Sequence, residues 1–512
     1  MVPVVDNAAM RHLDRYTIDE LGLPGLLLME RAAAAVTDTL EKIFDPEDLV
    51  VVLCGVGNNG GDGLAIARQR HAAGGRVEVA LVGEPKALSR DAAVQWELAE
   101  HFGVPRKQVG SREDLVKLEG LLGRSHGVVD ALFGTGLSRP LEGLAAATVE
   151  LVNKAEVFVV AVDIPSGLSG DTGAVKGVVM KADVTVTFGA LKWAHLLPQA
   201  TLFCGEVVLA HIGIPHWMCT KAAQGFLVEA ADAMQWLPHR APDAHKGHFG
   251  HLLLMAGRQG RAGAAALGAM AAVRAGAGLV TVATAAPAVV PIQSLVPEAM
   301  VDPLPAGEDG AVLGSRIEES LEKASAVAVG PGLGLGEGPR SLLFKILEKW
   351  DGPLLLDADA LTLLAGQLEV LRQRRAPTVL TPHPGELGRL LGTSSRQVQE
   401  DRVASAQRAA KLSGAIVVLK GYRTLIAEPE APVWVNPTGT SGLASGGSGD
   451  VLTGVVGGLL AQGLPAKEAA ALGVYLHGLA GELGKKRFSG AVPASVVAKL
   501  IPKAEAFLRE RE

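Results

Sequence analysis

Leu49-Val50-Val51-Val52-Leu53-Cys54-Gly55-Val56-Gly57-Asn58-Asn59-Gly60-Gly61-Asp62-Gly63 decides the architecture of the first half of the chain. An apolar run rich in β-branched residues reads as a strand buried on both faces, and the glycines behind it let the chain turn at once into a helix. A strand that feeds a helix through a glycine turn is the repeating unit of a parallel sheet. The alternation continues outward. Strands are expected at 76–82, 127–133, 156–162, 183–188 and 206–212, helices at 62–73, 90–101 and 141–154, and the Ala-rich stretch 11–40 reads as one helix.

After 214–243, where Pro215, Pro238 and Pro242 interrupt a weakly periodic segment that reads as a linker or domain edge, the pattern starts again. Strands are expected at 251–256, 278–284, 326–329, 353–357, 378–381, 416–420 and 432–436, then helices at 449–462 and 466–483, whose Ala and Gly residues permit close packing. The expected fold is α/β with two domains, 1–225 and 226–512, each a mainly parallel sheet in a three-layer α/β/α arrangement.

Composition limits what such a chain does. Its 512 residues are 48% hydrophobic and 20% charged, which suits globular domains rather than disorder. The net charge of −6 divides into −7 over 1–225 and +1 over the rest, so neither half carries the positive field that binding nucleic acid requires. Cys54, Cys204 and Cys219 are too few and too scattered for a disulfide scaffold or a thiolate metal site. With Asp6, Arg11, Asp14, Arg15, Asp19 and Glu20 near its start and no run of 18 apolar residues, the chain reads as a soluble cytoplasmic protein without a membrane partner.

Gly55-Val56-Gly57-Asn58-Asn59-Gly60 satisfies the G-x-G-x-x-G spacing of a dinucleotide-binding turn, and the following helix start favours phosphate. A ligandless glycine turn has the same spelling. In an open parallel sheet ligands lie beyond the carboxyl ends of the strands. Two further strand ends are polar there: Asp130 with Phe133-Gly134-Thr135-Gly136-Leu137-Ser138-Arg139-Pro140, and Asp163-Ile164-Pro165-Ser166-Gly167. Lys192, just past 183–188, is a candidate for the same rim, although a solvated surface lysine is the commoner fate of such a residue.

In this order Asn58-Asn59-Gly60-Gly61-Asp62-Gly63, Val129-Asp130-Ala131-Leu132-Phe133-Gly134 and Val162-Asp163-Ile164-Pro165-Ser166-Gly167 resemble the NAD(P)H-hydrate epimerase domain, which has a Rossmann-like fold. The resemblance implies that Asn58, Asn59, Gly60, Gly61 and Asp62, with Gly134, Thr135, Gly136, Leu137, Ser138, Arg139 and Pro140, contact the hydrated dinucleotide. It implies Asp163 as the acid/base and Asn59, Asp130 and Ser166 as ligands of K+.

In the second half, His245, His248 and His251 have the look of a metal cluster, but no carboxylate or thiolate completes the set. The stronger feature is Ser445-Gly446-Gly447-Ser448-Gly449-Asp450 at the head of an apolar helix, where backbone N–H groups and a carboxylate suit phosphoryl transfer. Together with His245-Lys246-Gly247, Gly330-Pro331-Gly332-Leu333-Gly334, Asp357-Ala358-Asp359-Ala360-Leu361, Thr381-Pro382-His383-Pro384-Gly385-Glu386 and Lys420-Gly421, it resembles the ribokinase-like, ADP/ATP-dependent NAD(P)H-hydrate dehydratase. By that resemblance Lys420, Gly421, Tyr422, Arg423, Thr424 and Gly449 hold the adenine nucleotide. Ala264, Gly332, His383 and Asp450 line the hydrate site, with Asp450 catalytic. The run Asn436-Pro437-Thr438-Gly439-Thr440 departs from the family's shorter loop.

The function this implies is repair of hydrated NADH and NADPH. The R and S hydrates are interconverted, then the S form is dehydrated with ADP, or ATP in some members, with Mg2+; ADP leaves AMP and phosphate. The family also implies a homo-oligomer. The alternatives are a ribokinase-like small-molecule kinase with a dinucleotide-binding regulatory domain, or a first domain that only binds.

Overall fold

The computed structural model describes residues 1–137, 139–175, 177–313 and 317–510. Two compact units result, one running from Val2 to Gly225, the other from Phe226 onward with Met1. Each unit is built on its own sheet.

The strands of the first unit are β1 (Val2–Val5), β2 (Val50–Cys54), β3 (Val77–Val82), β4 (Arg106–Val109), β5 (Gly127–Ala131), β6 (Phe158–Val162), β7 (Val184–Phe188), β8 (Leu191–Lys192) and β9 (Glu206–Ala210). Among the described residues seven of these form a sheet in the order β4-β3-β2-β5-β6-β7-β9, parallel throughout. β1 pairs in parallel with β8. Alternation along β2 separates two apolar layers. Val50, Val52 and Cys54 join Leu28, Val36 and Leu64 of helices Gly25–Ile43 and Asn58–Ala72, while Val51 and Leu53 join Leu118 and Val149 of helices Arg112–Leu122 and Gly143–Ala155. Side chains of period two thus face helices on both sides, which is why the strand is apolar without alternation.

Several expectations need correction. The stretch 11–40 is two helices, Asn7–Asp19 and Gly25–Ile43. Gly22, at φ +74, and Pro24, which has no N–H to donate, break it. The helix expected from 62 begins at Asn58, capped by Gly57, so the polar run lies in its first turn rather than ahead of it. β4 was not anticipated: Arg106-Lys107-Gln108-Val109 is a sheet edge, where polar residues are tolerated and the apolar signal is absent. Helix Arg112–Leu122, also unanticipated, starts on a Ser111–Asp114 capping box. The segment 214–243 contains helix His216–Ala222, β10 (Gly225–Leu227) and helix Ala230–Gln235.

In the second unit follow β11 (His251–Met255), β12 (Leu279–Ala285), β13 (Met300–Leu304), β14 (Ala326–Val329), β15 (Leu354–Leu356), β16 (Thr378–Leu380), β17 (Ile416–Leu419), β18 (Leu425–Ala427) and β19 (Val433–Val435). They are ordered β13-β12-β11-β14-β15-β16-β17-β18-β19, parallel as far as β17 and antiparallel through the last two pairings. β13 and β18 were not expected; β13 carries Pro303, which is tolerated at an edge. Helices Ala262–Arg274, Ser448–Ala461 and Ala466–Lys485 pack closely over one face. A Cβ at Gly454 would fall 2.0 Å from the Gly268 carbonyl oxygen, and one at Gly473 would fall 2.5 Å from Val456 Cγ2. Among the described residues no helix is long and apolar enough to cross a membrane.

Gly454→Ala sets two effects against each other. Alanine gains about 1 kcal/mol of helix propensity, whereas overpacking a backbone contact costs about 1–3 kcal/mol. The obstacle is a carbonyl and cannot swing aside, so we expect net destabilisation, read as a lower denaturant midpoint for the second unit. A raised midpoint would show that the two helices part freely.

Candidate active sites

In the first unit a cavity of about 550 Å3 opens beyond the carboxyl ends of the strands. Asn58, Asn59 and Asp62 reach it from the first turns of their helix, Gly134, Thr135 and Gly136 from the loop after β5, Asp163 from the end of β6, and Lys192 from β8. Asp163 has φ +67, the left-handed region that costs a non-glycine residue about 1–3 kcal/mol. Its surroundings hold it there. Its N–H donates to Val186 O at 2.8 Å, and its carbonyl oxygen accepts from His195 Nε2 at 2.9 Å. The tautomer follows because His195 Nδ1 accepts from the Lys192 backbone N–H at 3.0 Å, leaving the proton on Nε2. Burial pushes His195 down to about 4, so the imidazole stays neutral.

Lys192 is 1% exposed, so the reading of a solvated surface lysine is wrong. Its Nζ donates to Asp163 Oδ1 at 2.7 Å, to Thr187 Oγ1 at 2.9 Å and to Phe188 O at 3.0 Å, which uses all three ammonium protons. Thr187 Oγ1 in turn donates to Asp163 Oδ1 at 2.9 Å. Burial alone would raise the Asp163 carboxyl; the charge and hydrogen bond of Lys192, with His195 and Thr187, outweigh it and hold Asp163 below the usual carboxylate range.

Asp130 and Ser166 stand together behind the cavity lining. Asp130 accepts from Ser166 N at 2.8 Å, Ser166 Oγ at 2.7 Å and Leu132 N at 3.3 Å, and burial pushes its carboxyl up to about 6 despite those bonds. Ser166 Oγ accepts from Phe133 N at 3.0 Å, tying this pair to the loop that ends in Gly134. A Cβ at Gly134 would fall 2.9 Å from Asn59 Oδ1.

Gly60 and Gly61 lie in the same helix turn but are packing positions: their Cβ atoms would fall 1.8 Å from Gly55 O and 2.6 Å from Met29 Cε. Leu137 packs into the apolar layer of Leu118 and Val149. Arg139 and Pro140 are exposed away from the lining, and Ser138 lies outside the described residues. The motifs gave no sign of Asp14, Thr187 or His195. Asp14 enters the cavity from helix Asn7–Asp19, which carries no glycine turn to flag it.

A cavity of about 730 Å3 in the second unit brings together His383, Lys420, Gly421, Tyr422, Arg423, Thr424 and Gly449, with Ser448 and His477. Arg423 has φ +53 and donates from Nη1 to Pro437 O at 3.2 Å; Tyr422 is exposed. His477, which the motifs did not reveal, is buried with its Nε2 3.2 Å from Ser448 Oγ, and burial lowers it to about 4. Lys420 Nζ donates to Asp357 Oδ1 at 2.8 Å and lies 3.6 Å from Glu386 Oε2, while Asp357 Oδ2 accepts from Thr453 Oγ1 at 2.7 Å. Burial would lower Lys420, but Asp357 and Glu386 prevail and raise it.

Asp450 lies in the first turn of helix Ser448–Ala461, beside this network rather than in the cavity lining. Burial and then Asp357 push it up to about 6, against the pull of Lys420. Ala264 and Gly332 also stand outside the lining; a Cβ at Gly332 would lie 3.2 Å from that of Ala264, joining two of the expected hydrate-site residues. His383, expected with that group, lines the cavity of the nucleotide candidates instead. It caps helix Pro384–Leu391, its Nδ1 accepting from Gly385 N at 3.0 Å.

Comparison with known proteins gives two family matches: YjeF-related protein N-terminus over residues 25–194 and NAD(P)H-hydrate dehydratase over 252–503. The bifunctional NAD(P)H-hydrate repair enzyme of Moorella thermoacetica is 39% identical over 507 residues, covering 98% of this chain and 96% of its own. That of Escherichia coli is 36% identical over 483 residues, covering 94% and 89%. The ADP/ATP-dependent NAD(P)H-hydrate dehydratase of Bacillus subtilis, co-crystallised with ATP/Mg2+, is 33% identical with a TM-score of 0.49, over 55% of this chain and 97% of that one.

Lys192→Met tests the buried pair. Removing one partner leaves a buried carboxylate uncompensated and costs about 3–5 kcal/mol. Because Asp163 is depressed in the folded protein, its contribution is present above the unfolded carboxylate pKa and disappears as pH falls through the folded value. We expect the variant's deficit in unfolding free energy to be full at neutral pH and to shrink in acid; a deficit independent of pH would contradict this account.

Proposed function

This chain belongs to the family of bifunctional NAD(P)H-hydrate repair enzymes, and from that premise we propose which of its residues perform each step. It epimerises hydrated NADH and NADPH and dehydrates the hydrate with a nucleotide. The observation that carries the residue roles is the Lys192–Asp163 pair, an ionised carboxylate and its proton-bearing partner kept out of water in a cavity at the strand ends.

At the first site Asn58, Asn59 and Asp62 with Gly134, Thr135 and Gly136 bind the hydrate, and Gly60 and Gly61 let the helix turn approach it. Leu137, Arg139 and Pro140 follow in the chain, and the contact implied for Ser138 lies outside the described residues. Asp163 exchanges a proton at the C6 oxygen: held below the usual carboxylate range it is ionised at neutral pH, so its acceptor form is the one present in the cavity. The residues also fit a monovalent cation. Asp130 is a buried carboxylate with no cationic side chain at ion-pair distance among the described residues, and Asn59 Nδ2 is buried without an acceptor, where an inverted amide would present oxygen. Asn59, Asp130 and Ser166 would hold K+, which would keep Asp130 ionised and the Phe133–Ser166 link in place.

At the second site Lys420, Gly421, Tyr422, Arg423, Thr424 and Gly449 hold the adenine nucleotide, and Ala264, Gly332, His383 and Asp450 face the hydrate. Asp450 takes the C6 hydroxyl proton as that oxygen attacks the terminal phosphorus. Backbone N–H groups at the start of helix Ser448–Ala461 stabilise the transferring group. Phosphate then departs as the N1 lone pair forms C6=N1, and loss of a C5 proton restores the dihydronicotinamide. With ADP as donor, AMP remains. Mg2+ carried on the nucleotide would neutralise phosphate charge. The family reading adds a cytoplasmic homo-oligomer.

The test is dihydronicotinamide absorbance after mixing the protein with R and S hydrates of NADH, K+, Mg2+ and either ADP or ATP. Wild type should recover both epimers, Asp163→Ala only the S share at the enzymatic rate, and Asp450→Ala neither. Absence of nucleotide-dependent recovery with accumulation of a stable phosphorylated product would replace repair by a kinase. The Asp450 role also predicts that S-hydrate dehydration rises with pH through about 6, as its carboxyl ionises.

A further inference from the structure

The first cavity holds a carboxyl group that the steps above leave idle. Arg11, Asp14 and Ile18 line it from one face of helix Asn7–Asp19, at the spacing of successive turns, with Met10 beside them, while Leu13 and Thr17 pack inward. Arg11 Nη1 donates to Thr135 O at 3.2 Å and so fastens this helix to the loop that carries Gly134. Among the described residues Asp14 accepts no hydrogen bond and forms no ion pair, in contrast to Asp163 in the same cavity. We propose that Asp14 is a second catalytic residue of the epimerisation, the proton donor to the C6 hydroxyl that works with Asp163; this rests on the epimerase reading of the cavity.

The chemistry asks for two groups. When C6 inverts by dehydration and rehydration, a hydroxyl leaves one face and water arrives at the other, and carboxyl groups on two elements suit the two proton transfers. The Asp14 proton passes to the C6 oxygen, the C6–O bond breaks, and water departs as the N1 lone pair forms C6=N1. Water then adds to the opposite face and gives its proton to Asp163. The product is the other epimer, and one proton has moved from Asp14 to Asp163, to be returned through water.

The surroundings suit this division. Burial pushes Asp14 up to about 6, with Lys192 opposing and Asp163 adding to the rise, whereas Asp163 is held down by Lys192. Paired carboxyls driven apart in this way are the usual acid and base of one reaction. The other charged groups lining the cavity are Arg11, Asp62 and Asp91. Asp62, held well above the usual range by burial and by Asp163 and Asp14, gives up its proton less readily near neutral pH.

The experiment converts purified R hydrate to S hydrate with the full chain, separating the epimers chromatographically across a pH series. Dehydration of S hydrate in the same samples reports intact protein. Wild type should lose rate above pH about 6, and Asp14→Asn should lower epimerisation about 100-fold or more and abolish that fall. Asp14→Glu should retain that fall, displaced along the pH axis. An Asp14→Asn rate within threefold of wild type, a preserved alkaline fall in that variant, or an Asp14→Glu without one would overturn the proposal. Asp163→Asn separates the two readings. Its full activity would remove the epimerase mechanism itself, whereas its inactivity beside an active Asp14→Asn would remove only Asp14.

Discussion

An ammonium group taken out of water must find an oxygen for each proton, and that requirement organises the first site. Lys192 meets it with the Asp163 carboxylate, the Thr187 hydroxyl and the Phe188 carbonyl. Those oxygens come from the ends of neighbouring parallel strands, so satisfying the lysine also fixes the separation of the strand-end loops. The left-handed backbone of Asp163 is a consequence: it turns the carboxylate toward Lys192 and leaves its carbonyl for His195. Breaking even for a buried pair needs such additional hydrogen bonds. In the second unit Lys420, partly exposed, pairs with Asp357 at the end of β15 and lies near Glu386 of helix Pro384–Leu391.

A second constraint is steric. The turn after β2 brings Gly60 so near the Gly55 carbonyl that no side chain fits, and Gly454 meets Gly268 in the same manner. These approaches seat one helix start beside each cavity. At the first it presents Asn58, Asn59 and Asp62; at the second, Asp450. Gly60 and Gly454 therefore act on the geometry of their neighbours.

What could be read in the sequence follows from how local each signal is. The strand expected at 326–329 and the helix at 90–101 appear as Ala326–Val329 and Arg90–His101 because apolar runs and helical spacing are local properties. The edge strand Arg106–Val109 was illegible because its residues face little of the core. Asp130, Asp163 and Asp450 announced themselves by the glycines around them. Lys192 was seen but misjudged, since nothing in Leu191-Lys192-Trp193 tells that three oxygens from other strands surround it. His195 and His477 were silent for the same reason, since Asp163 and Ser448 lie elsewhere in the chain, and Asp14 was silent because only folding brings its helix to the cavity.

Both cavities belong to one polypeptide, each on its own compact unit. Every completed translation therefore delivers one epimerase centre and one dehydratase centre, whatever the strength of transcription or the lifetime of the message. The number of centres that turn R hydrate into S hydrate, relative to the number that remove S hydrate, is then fixed at one to one. A cell has no expression level with which to adjust that ratio.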